Sequence, residues 1–185
     1  MNPDKTTQLI ERSKQNDTEA FRELVAEYQP FVFRLGFRLL CDEDEAKDIV
    51  QDTFVKVWLN LYKYKNQFRF STWICKIACN LCYDRLRAKK HLQNNIEISE
   101  QISGENIELS IINKELGELI IGMTRYLSPK QKLVFTLRDI ECLEIDDIKV
   151  ITGLSAEKIK SNLYLARQYI RNRINEITKF YYEKE

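Results

Sequence analysis

The chain has 185 residues, of which 44% are hydrophobic and 31% charged, so it can form one ordinary domain or two small ones and is too apolar to be disordered. Its net charge of +1 does not by itself indicate an acidic or a basic partner. Because it has no run of eighteen apolar residues and no apolar leader, we expect it to stay in the cytoplasm without membrane insertion.

Acidic and basic residues are concentrated in different segments of the chain. This distribution indicates binding partners better than the net charge does. Residues 63–90 carry eight Lys or Arg against one acid, Asp84. Residues 41–62 carry six acids against two lysines. The two segments therefore predict an acidic surface and a basic surface.

Apolar residues recur at helical spacing through the first half of the chain, and no strand pair is convincing. A helix that begins at Asp17 or Thr18 is expected to restart at Pro30. Asp42 and Glu45 then have the spacing of a capping box, with acids at the positive end of the helix dipole. This periodicity predicts an all-α fold.

A basic, aromatic loop and a further helix come next. Residues 62–70 have no long period, and Ser71 is expected to cap a helix that continues to about Lys90. Trp73 and Asn80 fall on one face of this helix at roughly 100° per residue. Such a face suits single-stranded nucleic acid, because aromatic rings stack on bases and amides read their edges. Taken singly, each residue is better explained by core packing or by a solvated surface.

The same helix carries Cys75, Cys79 and Cys82. Iron–sulfur enzymes use this spacing, and on a helix the three thiols would share a face. However, no strand pattern surrounds them, and the only histidine, His91, lies nine residues beyond Cys82. Core packing is the favoured interpretation, redox sensing or metal binding is the alternative, and no cofactor is predicted.

The second half begins with a polar, acidic stretch that has no sustained apolar face. We predict a helical domain at 1–91, a linker at 92–110 and a second helical domain at 111–185. Within the second domain, Ser128, Pro129 and Gln131 form a strong helix start.

A helix-turn-helix is predicted in the second domain. A helix through Ile145 and Ile148 is interrupted at Thr152-Gly153-Leu154, and Ser155 caps a second, basic helix. The apolar residues of that helix are Ile159, Leu163, Ala166 and Ile170. An exposed stripe opposite them consists of Lys160, Ser161, Tyr164 and Arg167. The stripe could pair with phosphates and read base edges, although most basic helix faces are only solvated.

Three motifs, in order and correctly spaced, resemble the extracytoplasmic-function (ECF) group of the sigma-70 family of bacterial sigma factors. They are DIVQDTFVKVW (48–58), FSTWICKIACN (70–80) and the helix-turn-helix after LSPKQKLVF. The resemblance covers about residues 18–173. It implies two small helical domains joined by a flexible linker, without enzymatic activity. It also implies core RNA polymerase, through its β′ coiled coil and β flap, promoter DNA and an anti-sigma factor as partners.

The resemblance assigns roles to individual residues. Binding to the polymerase coiled coil is implied for Asp48, Gln51, Asp52, Phe54, Val55 and Trp58. Binding to the -10 element is implied for Lys63, Lys65, Arg69, Phe70, Trp73, Asn80, Arg85 and Arg87. Binding to the -35 element is implied for Lys158, Lys160, Ser161, Asn162, Tyr164 and Arg167.

Some positions depart from the family pattern. Cys142 stands where relatives usually have glycine, and Ile148-Lys149 replaces their usual Ile-Ala. Asn162 and Leu165 occupy positions where arginine is frequent, so the -35 sequence cannot be inferred. A further hypothesis is that the linker acids mimic nucleic acid in the polymerase cleft; they are Glu97, Glu100, Glu105 and Glu108.

Two other functions compete with this interpretation. One is a helix-turn-helix regulator that binds duplex DNA without polymerase, which would leave the motif at 48–58 and the basic, aromatic loop unexplained. The other is a cysteine-metal redox enzyme or sensor.

Overall fold

The computed structural model describes residues 3–95 and 116–182, and every regular element within these ranges is a helix. The N-terminal elements are α1 (Pro3–Lys14), α2 (Thr18–Leu40), α3 (Glu43–Asn60), a 3₁₀ turn (Leu61–Lys63) and α4 (Phe70–Asn95). The C-terminal elements are α5 (Leu116–Met123), a 3₁₀ turn (Thr124–Tyr126), α6 (Pro129–Phe135), α7 (Ile145–Thr152) and α8 (Ala156–Tyr182). The prediction of two small helical domains, the second a helix-turn-helix, is confirmed.

Helix α4 continues to Asn95, so the beginning of the segment predicted as linker is helical. The rest of that segment, including Glu97, Glu100, Glu105 and Glu108, lies outside the described residues. The exact domain boundaries therefore stay a prediction. Every helix between residues 3 and 95 or between 116 and 182 is too short or too polar to cross a membrane.

Helix α2 is continuous through Pro30, so the predicted restart at that residue is wrong. A proline inside a helix removes one backbone hydrogen bond. Pro30 is exposed, whereas Tyr28 and Val32 on either side of it are buried. Packing of these neighbours stabilises the helix despite the missing bond, since most helical stability in proteins comes from tertiary contacts.

The core of the N-terminal domain lies mainly between α2 and α3, and α1 packs on α2. Fully buried side chains include Leu24 and Leu35 from α2 and Ile49 and Val57 from α3. The start of α3 is as predicted, because Asp42 Oδ1 accepts a hydrogen bond of 3.0 Å from the Glu45 amide. This cap places the acidic first turn at the positive end of the helix dipole.

Ser71 does not cap α4, contrary to the prediction. The helix begins at Phe70, and the Trp73 amide donates to the carbonyl of Arg69. Phe70 is only 4% exposed, and its ring lies edge-on to those of Tyr28 and Tyr64, at centroid distances of 5.3 and 5.2 Å. Burial of this ring brings Phe70 into the first helical turn, which leaves Ser71 inside the helix.

The three cysteines of α4 are core residues. Cys75, Cys79 and Cys82 are 1%, 1% and 0% exposed, and the sulfur atoms of the first two lie 3.8 Å apart. Their burial confirms the core-packing interpretation. Among the residues that the structure describes, no three His, Cys, Asp or Glu side chains are grouped in a way that could hold a metal ion.

The helix start at Ser128 is confirmed. The Gln131 amide donates to Ser128 Oγ, and the Ser128 amide donates to Gln131 Oε1 at 3.0 Å, which completes the capping box. Helix α6 then continues into a turn of π-helix at Thr136–Ile140, where the Glu141 amide donates to the Thr136 carbonyl. A hydrophobic cluster packs α5 and α6 on α8 through Met123, Leu127, Phe135, Ala166 and Ile170.

The turn of the helix-turn-helix also follows the prediction. Helix α7 ends at Thr152, and Gly153 has a φ of 70°, which only glycine adopts readily. Ser155 Oγ accepts from the Lys158 amide at 3.4 Å and caps α8. The apolar residues predicted for this helix, Ile159, Leu163, Ala166 and Ile170, are all buried.

Cys142 adopts a backbone conformation that favours glycine. Its φ is 56°, in the left-handed region, shortly after the π turn that follows α6. Arg138 fixes this loop, because it donates to the Leu143 carbonyl at 2.7 Å and pairs with Glu144 at 3.1 Å. The geometry explains why glycine would suit this position, since a left-handed residue with a Cβ costs about 1–2 kcal/mol.

We expect Cys142→Gly to stabilise the C-terminal domain by about 1 kcal/mol, because glycine removes that strain. Hydrogen exchange of peptides from α6 and α8 measures the opening of this domain by itself and should slow about fivefold. Cys142→Ser is the matched control, since it removes the thiol but keeps the Cβ. Equal exchange rates in the two variants would contradict the assignment of strain.

Candidate functional site

Helix α3 and the 3₁₀ turn after it present a line of exposed side chains that we call the α3 seam. It consists of Asp48, Asp52, Val55, Leu59 and Tyr62, at alternating steps of four and three residues. The three apolar members are 58%, 63% and 69% exposed. Alternating steps of four and three are the spacing of a helix that packs against another helix in a coiled coil. The seam therefore has the form of a helix-binding surface with an acidic end and an apolar end.

Two of the residues predicted to bind polymerase lie elsewhere. Phe54 is only 6% exposed and its ring lies edge-on to that of Phe21, so in this structure it is a core side chain, and its role in binding polymerase stays a prediction. Trp58 is half-buried, and the centroid of its ring lies 4.7 Å from that of Phe21. Gln51 is exposed beside the seam, whereas Leu59 was missed by the sequence analysis. Its four-residue step from Val55 was the signal that could have identified it.

A second surface surrounds the loop of residues 65–69. Lys63, Lys65 and Arg69 are exposed, as predicted. Phe70 is buried beneath the loop, and the prediction that its ring contacts DNA stays a prediction. Its ring stacks on Trp73, with centroids 5.7 Å apart and an angle of 28° between the rings. Phe70 thus supports the half-buried Trp73 from the inside.

Helix α4 extends this basic surface. Asn80 is exposed two turns after Trp73, where the helical period predicts it. Arg87 is exposed and its guanidinium lies 5.9 Å from the Tyr83 ring, whereas Arg85 is half-buried. The aromatic edge, the amide and the cations are thus carried by one rigid helix, a set of groups suited to an unstacked base and its phosphates.

The first turns of α8 form a third surface. Lys158, Lys160, Ser161 and Tyr164 are exposed, the last of them by 67%. Asn162 is half-buried, and its side-chain amide donates to the Lys158 carbonyl at 2.7 Å. An open groove of about 580 Å³ runs beside this stripe, with cationic walls formed by Arg138, Lys160, Arg167 and Arg171.

Arg167 forms an ion pair that the sequence analysis did not anticipate. Its Nε and one Nη donate to the two carboxylate oxygens of Asp139, at 2.9 and 2.6 Å. These hydrogen bonds raise the pKa of Arg167 further above its usual value, so the guanidinium is charged at every accessible pH. The partner lies 28 residues away in the π turn, a distance that no helical spacing could reveal.

Comparison with known proteins agrees with this arrangement. Residues 24–92, from α2 to α4, match the family described as Sigma-70 region 2, and residues 118–170, from α5 to α8, match Sigma-70 region 4. The ECF RNA polymerase sigma factor SigW of Bacillus subtilis is 27% identical over 179 residues, which cover 91% of this chain and 96% of that protein. The ECF RNA polymerase sigma-E factor of Haemophilus influenzae is 28% identical over 181 residues, covering 91% and 95%.

Solved structures show the same fold. The sigma factor RpoE of Bartonella quintana, in complex with the anti-sigma factor NepR, superposes with a TM-score of 0.62 at 21% identity, covering 86% of this chain and 96% of its own. CnrH, in complex with the cytosolic domain of CnrY, superposes with a TM-score of 0.66 at 19% identity, covering 93% and 98%. With both sigma-70 regions present in order and relatives aligned over nine-tenths of its length, the chain belongs to the ECF group of the sigma-70 family and is an RNA polymerase sigma factor.

Proposed function

We propose that this sigma factor binds core RNA polymerase through the α3 seam, captures an unpaired base of the -10 element with the 65–69 loop and α4, and reads the -35 element with the first turns of α8. The exposed α3 seam carries the proposal. A helix-turn-helix protein that acted alone on duplex DNA would have no use for an apolar, heptad-spaced surface in a separate domain.

The seam suits a coiled coil of opposite charge. Val55 and Leu59 would pack in its grooves, and Asp48 and Asp52 would face basic side chains. The apolar contacts would supply most of the affinity, because a few well-packed central side chains usually dominate an interface. The acids would speed association and fix the register of the helices.

Promoter opening follows from binding energy alone in this proposal. Flipping a base out of duplex DNA costs a few kcal/mol. The exposed edge of Trp73, the Asn80 amide and the cations Lys65 and Arg69 would hold the extruded base and its phosphates. The protein would thus drive opening as a polymerase subunit without a catalytic reaction of its own.

The -35 element would be read by Lys160, Ser161 and Tyr164, with Lys158 on the backbone. For Arg167 we propose a positioning role. Its ion pair with Asp139 joins α8 to the π turn after α6, so it sets the angle at which the reading stripe is presented. Loss of either partner would then weaken DNA binding.

We also infer an anti-sigma factor as a partner and the cytoplasm, where core polymerase works, as the location. The co-crystal structure of RpoE with the anti-sigma factor NepR supports a regulator of this kind. An anti-sigma factor that covered the α3 seam would compete directly with core polymerase.

Transcription with purified core polymerase on a fragmented genomic library tests the proposed function. RNA starts that need this protein should share two spaced upstream elements. Asn80→Ala should lower initiation by weakening the -10 contact, and Lys160→Ala should do so by weakening the -35 contact, each about tenfold at the promoters found. If the protein neither binds core polymerase nor directs any RNA start, the proposed function is wrong. A helix-turn-helix regulator that binds duplex DNA without polymerase is then the better interpretation.

The α3 seam is tested by Leu59→Lys. Since Leu59 is 63% exposed, the fold should persist, but affinity for core polymerase should fall about tenfold or more because a charge would be buried in the interface. Fluorescence anisotropy of the labelled protein measures this affinity. Phe37→Lys is the matched control, because it places the same charge on an exposed apolar position of α2 outside the seam. A similar loss in both variants would count against the seam.

The role of Arg167 is tested with Asp139→Asn, Arg167→Gln and the double variant, by their affinity for a duplex with the -35 element. Positioning predicts that each single change weakens binding and that the two are coupled by about 1 kcal/mol. Direct DNA contact by Arg167 predicts instead that Asp139→Asn strengthens binding, since it removes a negative charge near the phosphates. Lys160→Gln serves as the control and should be additive with Asp139→Asn.

A further inference from the structure

The loop of residues 65–69 is held in one shape by a side chain beneath it. All five residues of the loop are exposed. Tyr64 is only 6% exposed, and its hydroxyl donates a hydrogen bond of 2.8 Å to the carbonyl of Phe68. This bond connects the residue before the loop with the fourth residue of the loop, so it fixes the course of the backbone between them.

A second constraint acts inside the loop. The Gln67 amide donates to the Lys65 carbonyl at 2.6 Å, which makes a tight turn at the tip. With the turn set at one point and the Phe68 carbonyl anchored at another, little backbone freedom is left. The directions of Gln67, Phe68 and Arg69 are therefore set before any DNA arrives.

The Tyr64 ring is itself fixed by its neighbours. The centroids of the Phe70 and Trp73 rings lie 5.2 and 5.3 Å from its own, and the ammonium group of Lys14 in α1 lies 5.8 Å from its centroid. Burial raises the pKa of Tyr64, so its hydroxyl remains protonated and able to donate at neutral pH. The packed ring therefore holds the donor hydroxyl in a fixed position.

We propose that Tyr64 is a positioning residue for capture of the -10 element, and that its hydrogen bond to Phe68 holds the 65–69 loop in the shape that receives the unpaired base. This inference rests on the proposed function. Tyr64 is too deeply buried to touch DNA, so it acts through the loop. Because these two hydrogen bonds already restrict the loop backbone, less conformational entropy would be lost when the base binds.

The matched change is Tyr64→Phe, which keeps the ring and removes only the hydroxyl. Two measurements are made on the full-length protein. Trypsin cleavage after Lys65 and Arg69 reports the mobility of the loop and should accelerate severalfold. In holoenzyme on a promoter identified by the transcription experiment, 2-aminopurine in the -10 element reports opening, which should fall roughly three- to tenfold. Affinities for core polymerase and for the -35 duplex should not change.

Ile49→Val separates positioning from simple loss of stability. It removes one methylene from a fully buried side chain of the same domain, in α3 about three turns before that helix ends. Positioning predicts that it changes neither loop cleavage nor opening, whereas equal effects in Ile49→Val and Tyr64→Phe would overturn the proposal.

The remaining outcomes are also distinct. Normal opening by Tyr64→Phe, with or without faster cleavage, overturns the positioning role and leaves the proposed function intact. Unchanged opening in both Trp73→Ala and Asn80→Ala would overturn the -10 surface itself, and the role of Tyr64 with it.

Discussion

The packing of α2 against α3 determines which face of α3 is left for a partner. Ile49 and Val57 are fully buried in this contact, and burial of each contributes about 2 kcal/mol. Rotation of α3 about its axis would expose them, so Val55 and Leu59 are held on the outside although they are as apolar as the residues within. The partner helix proposed for this face would therefore meet a surface that is already formed, and little entropy would be lost in ordering it.

Both domains use the same arrangement for different purposes. A long helix places branched apolar side chains on one face against the core and presents short polar, aromatic or charged side chains on the other. In α8, Ile159 and Leu163 are buried while Lys160 and Tyr164 are exposed. In α8 the core thus sets the direction of the residues proposed to read DNA, and those exposed residues contribute little to the core. Because the exposed residues are independent of the core, the fold alone does not indicate which promoter sequence is recognised.

Local rules predicted several helix starts, because caps depend on neighbouring residues. Asp42 and Ser128 begin helices where their spacing to the next polar residue indicates. The rules failed at Pro30, because burial of the side chains around it outweighs one missing backbone hydrogen bond. They failed again at Phe70, because burial of its ring outweighs the cap that Ser71 would provide. Motif resemblance also does not say which side of a helix faces solvent. For that reason, Phe70 was assigned to DNA although it is buried, and the Asp139 partner of Arg167 was missed.

The bond from Tyr64 reaches a backbone carbonyl, not a side chain, and this has a consequence for the evolution of the protein. Every residue has a carbonyl, so the loop keeps its anchor whatever side chain stands at position 68. The five loop residues are exposed and contribute nothing to the core. Under the proposed -10 role, substitutions among them would change the chemistry offered to DNA at little cost in folding stability. A lineage could then alter its -10 preference by changing five positions on an unchanged scaffold.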